Sequence, residues 1–94
     1  MKKKKHQFDL SILIGNWKSV NLNPTVVIYR NNGIYLLSII YMNETTRQAS
    51  PATYEIQEDA NGCFISYNLK RLSIGYDAIL DMLELSSLGD YMRN

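Results

Sequence analysis

The sequence predicts an all-β protein: an up-and-down antiparallel meander of about seven or eight short strands that closes into a small barrel. Three observations predict it. Asn32-Gly33 and Asn61-Gly62 each lie between apolar runs, and an Asn-Gly dipeptide supplies the positive φ angles of a type I′ hairpin turn. The flanking runs are rich in Val, Ile, Tyr, Phe and Thr, whose branched or flat side chains suit a pleated surface. Finally, the chain has 94 residues, 46% hydrophobic and 20% charged, the range of one globular domain. A chain of that size buries about 65% of the surface its unfolded form exposes, enough for one modest core and no second compartment.

Taken in order, residues 1–8 hold Lys2 to Lys5 and His6 and read as a disordered basic tail ahead of a single barrel domain over residues 9–94. After a first strand around Trp17, Thr25 to Arg30 and Ile34 to Met42 form a hairpin about Asn32-Gly33. Ile34 to Met42 is apolar on both faces, so its outer side is covered by the terminus, covered by a neighbour, or left as an exposed patch. Asn43 to Pro51 is polar and ends in Ser50-Pro51, which disfavours helix and ladder bonding, so it reads as the longest loop. Thr53 to Glu58 alternates, with Tyr54 and Ile56 on one face and Thr53, Glu55 and Gln57 on the other. A second hairpin joins it to Cys63 to Tyr67, and strands follow from Leu69 to Tyr76, near Asp81 to Leu85, and near Tyr91. Asp77 to Leu88 admits a second reading, a helix capped by Asp77 and ended by Gly89. The strand reading is preferred, because every earlier element is β and meanders keep neighbours adjacent.

Net charge is +1, with the basicity concentrated in the tail and the remainder acidic. One cysteine, Cys63, excludes a disulfide framework and multi-cysteine metal clusters. The lone histidine lies in the tail, which leaves histidine-based catalysis without material. Met1 to Lys5 ahead of Leu10 to Ile14 imitates a secretory signal, but Asp9 precedes a stretch shorter than the roughly 7 to 15 apolar residues a signal needs. No window reaches the roughly 18 apolar residues of a membrane span. The expectation is a cytoplasmic protein that does not enter a membrane.

Leu13-Ile14-Gly15-Asn16-Trp17 resembles the G-x-W signature on the first strand of lipocalin and wider calycin barrels, and Gly89-Asp90-Tyr91-Met92-Arg93 resembles the Y-x-R close of small lipocalin-like domains. The resemblance implies that Arg93 packs over Trp17 and closes one end of the barrel. Over about residues 10 to 93 the hydrophobic spacing is similar to that of uncharacterised bacterial lipocalin-like domains, some of them carried on conjugative transposons. The chain is far shorter than a typical lipocalin and lacks that family's disulfide cysteines, so the resemblance carries the fold and not ligand transport.

Chemistry-bearing patterns are sparse. The five glycines are dispersed and form no phosphate loop. Asp77, Asp81 and Glu84 are the only carboxylate cluster, and they read as a turn stabiliser and two solvent-facing acids. Cys63 reads as a small buried hydrophobe. The seven tyrosines read as core and rim packing rather than a base-stacking platform, since the body carries no basic face. These observations lead to a non-enzymatic binding or protein-interaction module without cofactor or metal. Its contact surface is expected at Tyr41, Glu44, Arg47 and Gln48, with a protein as partner and a small-molecule ligand not favoured. The alternative is an accessory nucleic-acid binder using the lysine tail. Large inward groups, among them Trp17, Ile28, Leu36, Tyr54, Ile56, Ile65, Ile74 and Leu83, predict a filled barrel without a ligand-sized space of about 300 Å3.

Overall fold

The computed structural model describes residues 9–94, so the expected disordered tail lies outside the described residues. A 3-10 helix at Leu10–Leu13 is followed by nine strands: β1 Gly15–Ser19, β2 Thr25–Asn31, β3 Ile34–Met42, β4 Ala49–Glu55, β5 Gln57–Asp59, β6 Gly62–Tyr67, β7 Lys70–Asp77, β8 Met82–Leu85 and β9 Gly89–Arg93. They form one sheet in the order β4-β3-β2-β1-β9-β8-β7-β6-β5, every neighbouring pair antiparallel. The first and last strands pair in the middle of that order. Its two ends, β4 and β5, are consecutive in the chain and separated only by Ile56. The sheet therefore curls into a nearly closed barrel.

Nine strands replace the seven or eight expected because Thr53 to Glu58 is not one strand. Tyr54 pairs with Leu37 of β3, whereas Gln57 pairs with Phe64 of β6. The change of partner falls at Ile56, whose N–H still bonds the Tyr35 carbonyl at 2.9 Å. A local alternation pattern shows which face is buried but not which neighbour each half takes.

Among the described residues the structure has no α-helix. The helical reading of Asp77 to Leu88 gives way to a turn and β8. The Asp77 carboxylate accepts the backbone N–H groups of Ile79 and Leu80, which fixes the turn. Asn32 and Gly33 have φ of 54° and 79°, as a type I′ hairpin requires. The second hairpin differs from expectation: Asp59 pairs with Gly62, so Ala60 and Asn61 are the central residues and only Gly62 has positive φ, at 116°. The Asp59 carboxylate accepts the Asn61 N–H at 2.8 Å, which favours this turn over an Asn-Gly one. The expected loop to Pro51 stops early, because β4 begins at Ala49. Proline is tolerated there since this stretch of β4 pairs on one side, with β3, and needs no second ladder.

The core is contributed by β1–β3 and β6–β9 with the 3-10 helix, and Leu13, Trp17, Val26, Ile28, Leu37, Ile39, Ile65, Leu83 and Tyr91 are fully buried. Leu36, expected inside, lies on the outer face. Ile28 stands opposite Leu37, and neighbours in register share a face, so Leu37 and Ile39 point inward instead. A strand apolar on both faces does not reveal which one is buried.

Strand direction alternates, so the connections sort to two ends. Four loops, β1–β2, β3–β4, β6–β7 and β8–β9, share one end. The hairpins β2–β3 and β5–β6, the β7–β8 turn and both termini of the described chain share the other.

Candidate functional site

At the second end, Trp17 and Arg93 are directly opposite in the β1–β9 ladder. The Trp17 ring is fully buried and its indole N–H donates to the Leu13 carbonyl at 2.8 Å. The Arg93 guanidinium carbon lies 4.3 Å from the ring centroid, within reach of a cation–π contact. Four hydrogen bonds hold it there. Nε and Nη2 hold the two Asp81 oxygens at 2.9 and 3.1 Å, while Nη1 and Nη2 reach the carbonyls of Ile14 and Ile12 at 3.1 and 2.8 Å. Gly15 makes room for this arrangement. Its φ is +145°, and a Cβ there would meet Arg93 Nη1 at 3.1 Å, so the glycine of the G-x-W pattern has a packing cause.

Asp81 keeps 46% of its side chain exposed, as expected of a solvent-facing acid, but it is also paired. Besides Arg93 it accepts the Tyr76 hydroxyl at 2.7 Å, and the Tyr76 ring meets Trp17 edge-on at a centroid distance of 6.5 Å. The Arg93 guanidinium first, and then the Tyr76 hydroxyl, hold the Asp81 carboxyl down at about 2. It is an anion at every physiological pH. In the structure Asp81 sits at a turn with φ of 53°, a conformation aspartate tolerates better than most residues, and nothing in the sequence marks its pairing with Arg93.

Beside this cluster a cleft of about 560 Å3 opens to solvent. Ile74, Cys63, Tyr76 and Ile12 supply apolar walls, and Glu58 and Glu84 stand among the lining residues. Two of the walls are set by Arg93: it bonds the Ile12 carbonyl directly, and through Asp81 it fixes the Tyr76 hydroxyl. Burial, and then the negative charge of Glu58, push the Cys63 thiol up to about 11. Trp17, Ile28, Ile65 and Leu83 are fully buried as expected, but the cleft exceeds the roughly 300 Å3 that the sequence was expected to exclude. A cleft is what neighbouring elements leave unfilled, and a list of inward side chains does not reveal it. Among the described residues no group of three or more His, Cys, Asp or Glu is placed to hold a metal ion.

The surface expected from the sequence lies at the opposite, loop end. Tyr41, Glu44, Arg47 and Gln48 are all exposed. Asn43 orders their loop: its side chain accepts from Thr45 and Thr46 at 2.9 and 3.0 Å, and its backbone N–H donates to the Gln48 carbonyl. The Tyr41 and Tyr67 hydroxyls bond each other at 2.8 Å, and Tyr54 packs edge-on against Tyr67. Tyr91, fully buried, donates its hydroxyl to the Pro24 carbonyl at 2.8 Å. The structure does not bring the two expected sets together; Trp17 with Arg93, and Tyr41 with the loop, occupy opposite ends.

An all-antiparallel meander closed between its first and last strands, with a cleft-bearing end pinned by an arginine, defines a small β-barrel domain. The chain belongs to the family described as "Domain of unknown function, B. Theta Gene description (DUF3876)", whose model matches residues 2–93. It matches no curated protein and no solved structure. Among the described residues, no helix is long and apolar enough to cross a membrane.

Proposed function

We propose that this protein is a non-enzymatic binding module of the lipocalin-like kind, and that its ligand site is the cleft beside Arg93. The observation that carries the reading is the cleft itself: about 560 Å3 with apolar walls, within the roughly 300 to 1,000 Å3 of small-molecule sites. Binding rather than catalysis is supported by the state of its titratable groups. A thiol held near 11 beside a carboxylate is a poor nucleophile at neutral pH, and Asp81 at about 2 has no proton to give. The G-x-W strand, with Arg93 over Trp17, supports the lipocalin-like assignment. Arg93 closes that end and fixes two cleft walls. The same resemblance carries an expectation of a conjugative-transposon setting and a cytoplasmic protein, which the neighbouring genes and fractionation test.

Saturation-transfer NMR with a set of aromatic fragments tests the reading. Fragments should receive saturation and lose it when Ile74→Trp fills the cleft. Saturation unchanged by Ile74→Trp, or none at millimolar fragment, contradicts it.

A second reading keeps the loop surface of Tyr41, Glu44, Arg47 and Gln48 as a protein contact, supported by its exposure and its ordering by Asn43. The nucleic-acid alternative rests on Lys2 to Lys5, outside the described residues. A salt titration of DNA binding tests it, since phosphate contacts make affinity fall steeply with salt.

A further inference from the structure

We infer that the cleft selects an organic cation: a small molecule with a protonated amine or quaternary ammonium on an apolar body. The inference rests on the cleft being a ligand site and names the class of ligand. Among the described residues that line it every formal charge is negative, Glu58 from β5 and Glu84 from β8, and none is a lysine, arginine or histidine. Among the described residues neither carboxylate is in an ion pair; the two ion pairs found are Arg71 with Asp59 and Arg93 with Asp81. The Arg93 guanidinium, which bonds the Ile12 carbonyl at the cleft wall, is engaged by Asp81, two carbonyls and the Trp17 face, and that of Arg71 is engaged by Asp59.

The apolar walls of Ile74, Cys63 and Ile12 suit an alkyl or aromatic body, and the two glutamates suit the charge that body carries. An anionic ligand would meet two uncompensated carboxylates. A neutral one would forgo their attraction, which in a partly enclosed site is stronger than in bulk water. Gly75 adds a structural detail. A Cβ at this position would lie 3.1 Å from Glu84 Oε1, so the absence of a side chain lets the Glu84 carboxylate lie close over β7, at the cleft. Alanine there should displace the flexible end of Glu84 without disturbing the ladder.

The test titrates the 15N-labelled full chain with three probes of one shape, 4-phenylbutylammonium, 4-phenylbutanol and 4-phenylbutyrate, at low and high salt. The ammonium should produce saturable shifts at Cys63, Gly75 and Tyr76, bind about tenfold tighter than the alcohol, and weaken with salt. The butyrate should bind weakest. Glu58→Gln and Glu84→Gln should each weaken the ammonium about threefold to tenfold while leaving the alcohol unchanged, and Gly75→Ala should act in the same direction as Glu84→Gln. If the alcohol or the butyrate binds as tightly as the ammonium at these same residues, the cleft stands as a site and the cation inference falls. If none of the three gives saturable shifts there, both fall.

Discussion

The two ends of the barrel are closed by opposite chemistries. At the loop end neutral tyrosines close the mouth through hydroxyl bonds, Tyr41 to Tyr67 and Tyr91 to the Pro24 carbonyl. At the other end a charged arginine lies on a tryptophan and is held by a carboxylate and two carbonyls. The tyrosine contacts are single bonds, one between two hydroxyls and one to a backbone carbonyl, made by flat rings that pack well whether or not the bond is made. The arginine contacts are a fixed fork that holds one carboxylate and two carbonyls at once, so removing the side chain strands several groups together. The lesson is one of specification: the arginine end has a unique geometry, and the cleft lies there because two of its walls depend on that geometry.

Several substitutions break the comparison, beginning with the largest. Trp17→Ala removes the platform of the arginine end and a fully buried ring, and should cost about 3 to 5 kcal/mol in denaturant unfolding. Arg93→Ala should cost about 1 to 2 kcal/mol, the worth of a partly desolvated cation–π contact with its hydrogen bonds. Lys70→Ala, at an exposed position, should change stability little, and equal losses from Arg93→Ala and Lys70→Ala would contradict the packing role of Arg93. At the loop end, Tyr91→Phe leaves the buried ring and removes one hydrogen bond, for about 1 kcal/mol.

The smallest effect should be a gain. The β6–β7 turn places Asn68 and Leu69 at φ of 52° and 65°, and Leu69 is fully exposed. A leucine side chain disfavours this region and gains no burial there. Leu69→Gly should raise stability by about 0.5 to 1 kcal/mol, read as a higher thermal midpoint. A lower midpoint would show that the Leu69 side chain makes a stabilising contact.

Acid and alkali should separate the ends without mutation. Asp81 is held at about 2 by Arg93 and Tyr76, below its unfolded value of about 4. Its contribution is present above about pH 4 and is lost as pH falls toward 2. Tyr41 is pushed up to about 12, chiefly by its bond to Tyr67, and Tyr91 to about 12 by burial. Their contribution is complete below about pH 10 and is lost as pH rises toward 12. Methyl NMR should therefore show Ile12 and Ile74 perturbed first in acid, and Val26 and Leu88 first in alkali. The same residues responding at both extremes would mean that the barrel opens as one unit.

How much of this was legible in the sequence differs by region for physical reasons. The β2–β3 hairpin was readable because Asn-Gly has few conformations to choose from and its flanks are strongly β-forming. The β6–β7 turn was located only to its position after Tyr67: Leu69, expected to open the next strand, instead sits in the turn with positive φ, a place an apolar side chain does not signal. Leu36 and Leu37 are chemically equivalent, and only pairing with Ile28 in β2 decides which faces inward. The contact of Arg93 with Trp17 was approached through a resemblance at the two termini. The Asp81 partner was missed because it depends on barrel closure bringing the β7–β8 turn under the last strand. The cleft depends on that closure as well.

The most direct measurement titrates the tightest of the three phenylbutyl probes into Arg93→Ala and Tyr91→Phe, under conditions in which both variants remain folded. Because Arg93 fixes the Ile12 and Tyr76 walls, Arg93→Ala should weaken binding at the cleft about tenfold or more. Tyr91→Phe, altered at the far end, should bind as the unsubstituted protein does. Equal affinity in Arg93→Ala and the unsubstituted protein, or an equal loss in both variants, would contradict an arginine-built site at one end of the barrel.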